Sequence, residues 1–421
     1  MNIESLRATE FARLDVGGHA YLDYTGSALY PASLAATHAQ LLAGSVLGNP
    51  HSANPTSMAS SALLAEARHA VRRFVGADDE YEVCFTANAT GAIRLVAEAY
   101  PWTSATSLVL AADNHNSVNG MREHARRAGA PVHVLPLDAA LRIAPQALDA
   151  VPEGDALLAF PAQSNFSGVR HPLALVERAQ ARGWRVLLDA ASFAGTNRLD
   201  LRTVRPDFVA LSFYKMFGYP TGVGALVAKR DALAALRRPA FSGGTVEYVT
   251  VTPPTHALLA GGEGFEDGTP NFLAMPAVTA GLQWLERTGV ERIGAHACTL
   301  ATRLGHALAM LAHRDGSPMV RRYGPHDRAD RGAVVTFNAL DAFGAIVPHE
   351  RLEQAARDVR VSVRGGCFCN PGAAEACGLG AGALVTGAVR ASLGVASSES
   401  DVLRLVHVVA QVASESMRVA A

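Results

Sequence analysis

Lys215 stands between two apolar runs in DFVALSFYKMFGYPTGVGALV, residues 207–227. Lysine is among the side chains least often buried without a partner. Two chemistries suit an amine there: it reaches solvent, or it bonds covalently to a carbonyl. Polar residues follow other apolar runs in the same way. Thr90 lies in NATG, His115 in NHNS, Gln163 and Asn165 in QSNFSG, and Asp189 ends VLLD. Each alone has an ordinary reading as a helix cap, a solvated loop histidine or a polar turn.

Jointly the set supplies what pyridoxal 5'-phosphate requires. Lys215 offers the amine for its aldehyde. Asp189 offers an acid that keeps the pyridine nitrogen protonated, the form that withdraws electrons strongly. His115 offers a ring to stack on. Thr90, at the start of a helical stretch, and the hydroxyls of Ser212 and Tyr214 suit a phosphate.

A second reactive segment is VRGGCFCNPGAAEACG, residues 363–378. Glycines beside a C-x-C predict a flexible surface loop. Cys367, Cys369 and Cys377 lack the two paired spacings of a zinc site. An exposed thiol near Arg364 suits a nucleophile better, with metal-binding and structural readings left as alternatives. Cys84, in a predicted strand, and Cys298, on a predicted helix, read as core.

These residues need a scaffold. Apolar runs at 82–87, 107–113, 132–138, 156–162, 185–191, 208–214 and 224–229 read as strands. They lack alternation, as strands covered on both faces do. Helical patterns lie between several of them, at 88–99, 117–128 and 172–182, and another spans 58–75. This rhythm predicts an α/β fold with a mostly parallel seven-stranded sheet and helices on both faces. In such sheets ligands gather at the carboxyl ends of the strands, where the candidate residues fall. After about residue 285 the pattern changes to longer helices with the strands AVVTFNAL, VRVSVRG and LVTGAVRASLG. The expected division is a large cofactor-binding unit at 30–285 and a small α+β unit formed by 1–29 with 286–421.

Composition narrows the class. Apolar residues make up 49% of the 421-residue chain and charged ones 18%, with a formal net charge of −1, so the chain reads as globular. Nothing concentrates Lys or Arg into a nucleic-acid stripe or a polybasic membrane patch. No uncharged apolar stretch of about 18 residues suggests a membrane span, and the first residues do not read as a secretory signal. Five cysteines fit a reducing cytoplasm better than a disulfide framework.

The chain resembles the class V aminotransferase superfamily of fold-type I pyridoxal-phosphate enzymes. Within it the likeness is to cysteine desulfurases, and above all to the aminotransferase-like domain of molybdenum-cofactor sulfurases. The strings that carry it are YLDYTGSAL, GNPHSANP, FTANATGAIRLVAEAYPW, FPAQSNFSGVRHPL, LLDAASF, SFYKMFGYPTGVGALV, FEDGTPNFLA and RGGCFCNPGAAE, spanning residues 21 to about 395. The resemblance implies that Lys215 bonds the cofactor, Asp189 partners its ring nitrogen and His115 stacks on it. It implies that Asn165 contacts the ring hydroxyl and the substrate carboxylate, and that Thr90, Ser212 and Tyr214 hold the phosphate. Thr269, in FEDGTPN, resembles a residue that reaches the phosphate of a partner subunit, which implies a homodimer with shared sites. Arg390, in AVRASLG, resembles the arginine that grips the substrate carboxylate. Cys369 matches the desulfurase nucleophile, with Cys367 the second choice. The implied reaction removes sulfur from L-cysteine, leaves L-alanine and holds a persulfide on Cys369 for a sulfur acceptor. Selenocysteine lysis or transamination on the same fold is the alternative. Ser192 stands where many desulfurases have glutamine, and Tyr214 where many have histidine. The eukaryotic sulfurases carry a further cofactor-binding domain; none is expected within these 421 residues, which leaves the acceptor open.

Overall fold

The computed structural model describes residues 3–326, 330–380 and 386–415. The larger sheet has seven strands: β1 (Tyr81–Thr86), β2 (Thr106–Ala111), β3 (Val132–Leu135), β4 (Asp155–Pro161), β5 (Arg185–Asp189), β6 (Phe208–Ser212) and β7 (Gly224–Lys229). Their spatial order is β1-β7-β6-β5-β4-β2-β3. β7 runs antiparallel to both its neighbours, and the other pairings are parallel. Alternate residues of each strand enter different cores. Val186 and Leu188 pack with Phe160 and Val209 on one face, whereas Leu187 packs with Phe208 and Ala210 on the other. Both faces are dry, so the sequence shows no polar alternation.

The helix Pro55–Phe74 begins where sequence chemistry places it. Proline occupies its first turn, and the Asn54 side chain accepts the Ser57 N–H at 3.0 Å, satisfying one of the free donors of the helix start. Leu64, Ala67, Val71 and Phe74 form its buried stripe against the sheet and the helix Met275–Thr288. Two elements predicted around the larger sheet differ from what forms, and in the smaller unit's sequence VRVSVRG splits into Val361–Ser362 and Arg364–Gly366, which pair in different sheets. The helical stretch 117–128 is two short helices, Asn116–Asn119 and Met121–Arg127, joined at Gly120, a residue with low helix propensity. The run 208–214 is not all strand. β6 stops at Ser212, and Phe213–Phe217 makes a short helix closed by Gly218 at φ +81°. Phe213, Met216 and Phe217 face inward at helical spacing. Five residues are too few for that period to be told from a buried strand. Lys215 therefore sits on a helical turn just past the strand end.

The smaller sheet contains β8 (Val320–Tyr323), β9 (Val334–Ala339), β10 (Arg364–Gly366) and β11 (Ala388–Ser392), in the order β8-β9-β11-β10 and antiparallel throughout. Of the predicted strand at 384–394, residues 384 and 385 lie outside the described residues. The helices Val290–Ala309 and Glu399–Glu415 cover this sheet through a core that includes Leu304, Phe337, Leu405 and Val409. The N-terminal segment contributes to the cores behind both sheets. Phe11 meets Trp284 edge-on at 6.2 Å in the larger core, whereas Ala20–Tyr21 pairs in parallel with Val361–Ser362 and Asp23 bridges to Ser392. Among the described residues no helix is long and apolar enough to cross a membrane.

Candidate active site

Strand register brings the candidate residues together. Pro161 lies opposite Asp189, Asp189 opposite Ala210, and Ser212 opposite Gly224, which also faces Thr86. The segments leaving these strand ends therefore meet at one edge of the sheet. A single pocket there is lined by Thr90, His115, Asn165, Asp189, Ser212, Tyr214 and Lys215.

At one end of the pocket the helix Ala89–Ala99 points its first turn inward. Asn88 caps it by accepting the Gly91 N–H at 3.0 Å, and the buried Ser212 Oγ accepts the Ala89 N–H at 2.8 Å. The Thr90 and Ser117 hydroxyls are 2.7 Å apart. A positive helix end ringed by hydroxyls is a site for an anion such as phosphate.

His115 caps the next short helix. Its Nδ1 accepts the Ser117 N–H at 3.1 Å, which leaves the ring proton on Nε2. Burial pushes its pKa below the ordinary value, and the nearby Lys215 adds to that effect against the pull of Asp189. Burial thus favours the neutral ring, which lines the pocket beside Lys215.

Lys215 is partly accessible at the pocket floor, and among the described residues its amine makes no hydrogen bond or ion pair. Burial pushes its pKa down, Asp189 and Cys369 oppose this, and Arg390 and Arg364 reinforce it. A lowered amine pKa raises the neutral, nucleophilic fraction. The chain has two lysines, and the other, Lys229, pairs with Asp207 at 3.7 Å. That scarcity was a signal in the sequence for Lys215 beyond its setting. The buried Asp189 accepts the Ala191 N–H on one oxygen at 3.0 Å. Burial raises the Tyr214 phenol, so it remains a donor.

Arg390 is buried, with Nη1 donating to the Asn165 carbonyl at 2.7 Å and Nη2 to Asp23 at 3.1 Å; among the described residues its Nε has no partner. Burial lowers its pKa to about 10 although Asp23 pulls the other way. Asp23 also takes the guanidinium of Arg364, at 2.6 Å. The buried, unpartnered Nε is what an arginine awaiting an acceptor presents. Asp23 is a residue that sequence reasoning passed over, although it lies in YLDYTGSAL. Asp23→Ala should cost about 3–5 kcal/mol of stability, because it strands the Arg390 charge in the interior. Urea unfolding at neutral pH measures this, and a loss below about 1 kcal/mol would contradict it.

The cysteine segment reaches the same place, but not as a flexible loop. Gly365 and Gly366 belong to β10. Beyond them Cys367 to Asn370 form a tight turn, closed by the Asn370 N–H to the Cys367 carbonyl at 2.9 Å. Phe368 and Cys369 take φ of +55° and +56°, the left-handed pair of a type I′ turn. The Phe368 carbonyl accepts Asn165 Nδ2 at 2.7 Å, and the Cys369 carbonyl accepts the Asn116 N–H, beside His115, at 2.7 Å. Glycine content predicts mobility only where backbone groups are left unpaired, and here both carbonyls are tied. The Cys369 side chain is exposed, whereas Cys367 packs on a small apolar cluster with Phe166 and Leu379. Burial pushes the Cys377 thiol up to about 12, with Asp113 contributing. Cys84 is buried and its thiol is likewise pushed up by burial, and Cys298 is partly buried on its helix. Thr269 does not line the Lys215 pocket. It is exposed on a neighbouring cavity with Arg94 and Glu98, and its Oγ1 accepts Asn49 Nδ2 at 3.4 Å.

Sheet order, an unpartnered amine and an anion-binding helix start at one edge define an α/β protein of the aminotransferase class-V family, whose profile matches residues 20–405; the chain belongs to that family. The molybdenum cofactor sulfurase of Bos taurus is 37% identical over 410 residues, covering 89% of this chain and 45% of that protein. The Arabidopsis thaliana protein of the same name is 35% identical over 422 residues, covering 88% and 51%. The chain thus spans about half the length of the curated relatives it matches. Among solved structures, the apo cysteine desulfurase of Thermococcus onnurineus NA1 superposes with a TM-score of 0.87 at 26% identity over 98% of each chain. The family and fold expected from the sequence motifs are both found.

Proposed function

We propose that the chain is a pyridoxal-phosphate-dependent cysteine desulfurase that passes sulfur from L-cysteine to Cys369 and then to an acceptor. One observation carries the reading: the turn bearing the exposed Cys369 is hydrogen-bonded through Asn165 into the pocket that holds Lys215. The residues present fit the cofactor. Among the described residues the amine of Lys215 has no other partner; Asp189 would hold the ring nitrogen, His115 the ring face, and Thr90, Ser212 and Tyr214 the phosphate. Pyridoxal phosphate, when bound, is an electron sink that stabilises negative charge at the substrate Cα and so weakens its Cβ–S bond.

This chain's residues do the rest. Arg390 and Asn165 orient the substrate carboxylate, and the neutral Lys215 amine takes the Cα proton. The Cys369 Sγ thiolate bonds to the substrate sulfur as the Cβ–S bond breaks; the bonding pair stays with Cβ, which takes a proton, Lys215 returns its proton to Cα, and the products are alanine and a persulfide on Cys369. His115, protonated at Nε2, holds a proton beside that exchange. Because Cys369 is exposed, the persulfide can be collected by an acceptor. Relatives called molybdenum cofactor sulfurases make a molybdenum cofactor the first acceptor to test. A homodimer, with Thr269 of one chain reaching the other chain's phosphate end, is supported by the exposure of Thr269 away from its own pocket. The five thiols support a reducing, cytoplasmic setting.

The holoenzyme with L-cysteine and a thiol reductant should give alanine and sulfide in equal amounts. A keto acid without sulfide would instead mark an aminotransferase, and turnover of L-selenocysteine alone a selenocysteine lyase.

A further inference from the structure

A buried polar network lies directly behind the cysteine turn, and of its members the sulfur-transfer steps use Asn165 alone. Asp113 and His171 have no side-chain exposure, and His171 Nε2 donates to Asp113 Oδ2 at 2.8 Å. The other ring nitrogen, Nδ1, accepts the Ile143 N–H at 3.3 Å, which fixes the tautomer. Asp113 Oδ1 accepts two further donors: Ser164 Oγ at 2.8 Å and Asn370 Nδ2 at 2.6 Å. Asn370 immediately follows Cys369 and is fully buried. Its Nδ2 is also 2.9 Å from Asn165 Oδ1, while its own Oδ1 accepts the Ala373 N–H at 3.2 Å. Asn165 in turn donates to the Phe368 carbonyl.

This network closes on a strained backbone. Left-handed φ is unfavourable for a residue with a Cβ, and more so for a bulky one. Phe368 and Cys369 adopt it in succession. Such conformations persist where surrounding contacts over-determine them. Asn370 supplies those contacts: it ties the end of the turn to the fixed carboxylate of Asp113 and to the residue that holds the turn's central carbonyl.

We propose that Asn370 is a positioning residue for Cys369: through Asp113 and Asn165 it holds the left-handed turn that presents the thiol to the substrate sulfur. The inference rests on the desulfurase reading. It makes the amide Nδ2, a donor, the essential half of the side chain. Asn370→Asp keeps the shape and the acceptor toward Ala373 but removes that donor. It sets a carboxylate against Asp113 and Asn165 Oδ1, and one of the two donations, the one between the carboxyls, is restored only when a proton is shared there. The titratable and charged groups around it are Asp113 and His171 in the network, the thiols of Cys367, Cys369 and Cys377 on its own segment, and His115, Lys215 and Arg390 beside Asn116 and Asn165, all present in the wild type as well.

The test measures persulfide formed on Cys369 by the holoenzyme with L-cysteine, as the ratio of variant to wild-type rate across pH. Asn370→Asp should be about a hundredfold slower in mildly alkaline buffer, as misplacement of a reacting group by about 1 Å implies. The ratio should climb as pH falls, because a carboxyl facing another carboxylate regains its proton early. Binding of L-alanine, read from the cofactor's visible absorbance, should weaken by far less than the rate, because Arg390 still holds the carboxylate. Asn370→Ala should be slow at every pH. A ratio constant with pH would show a purely structural part for Asn370 and overturn the proposal. Should the aspartate variant not fold, a wild-type rate in Asn370→Ala overturns it equally, and a hundredfold loss there with L-alanine binding weakened far less supports it. Persulfide missing from the wild type itself would sink the desulfurase reading first, and so is told apart from either result.

Discussion

Lys215→Ala, reconstituted with pyridoxal phosphate, should lack the yellow absorbance of a lysine-bonded cofactor and make alanine from L-cysteine about 10⁴-fold more slowly. That loss combines the covalent attachment with a general base, a role itself worth about 10²–10⁴-fold. Nothing nearby replaces the amine. Lys229, the other lysine in the chain, ends β7, while Gly224 at the start of that strand faces Ser212 and Thr86 at the pocket edge. Five residues of strand separate them by about 17 Å, and Lys229 is held by Asp207. Burial, with Arg390 and Arg364 nearby, shifts the Lys215 amine toward its reactive neutral form. Lys215→Arg should fail as well, because a guanidinium does not lose its proton. Absorbance spectra and alanine assays check both variants, and a fully active Lys215→Ala would remove the amine from the chemistry.

Cys369→Ser separates cofactor chemistry from sulfur transfer. It should keep the yellow absorbance and its change with L-cysteine, while alanine formation falls to background. Serine keeps the size of the side chain, and its hydroxyl is far harder to ionise than a thiol. Cys367→Ser should retain activity within about tenfold of wild type. The two cysteines differ in setting rather than in type: Cys369 is exposed beside the His115–Asn116 loop, and Cys367 lies against the Phe166 cluster. Equal loss in the two variants would contradict the assignment.

The layout of the pocket was legible in the sequence because it follows from strand ends. A sheet covered on both faces leaves apolar runs whose last residues mark the ligand edge, so Thr90, His115, Asn165, Asp189 and Lys215 could be picked out by position. What the sequence hid depends on distant pairing. Asp23 meets Arg390 across 367 residues of chain, and Asn370 meets Asp113 across 257. No local pattern reports such contacts. The cysteine segment misled for a related reason: glycine content describes a backbone's freedom, and the hydrogen bonds that remove it come from Asn165 and Asn116. The helical turn carrying Lys215 was hidden because five residues cannot establish a period.

The central claim is that one sulfur atom moves from L-cysteine to Cys369. Holoenzyme given a single equivalent of L-cysteine without reductant, then digested and weighed by mass spectrometry, tests it most directly. The peptide bearing Cys369 should gain the mass of one sulfur, with one alanine formed per sulfur bound. Alanine released while Cys369 remains unmodified, or the added sulfur found on Cys367 or Cys377 from the first turnover, would contradict it.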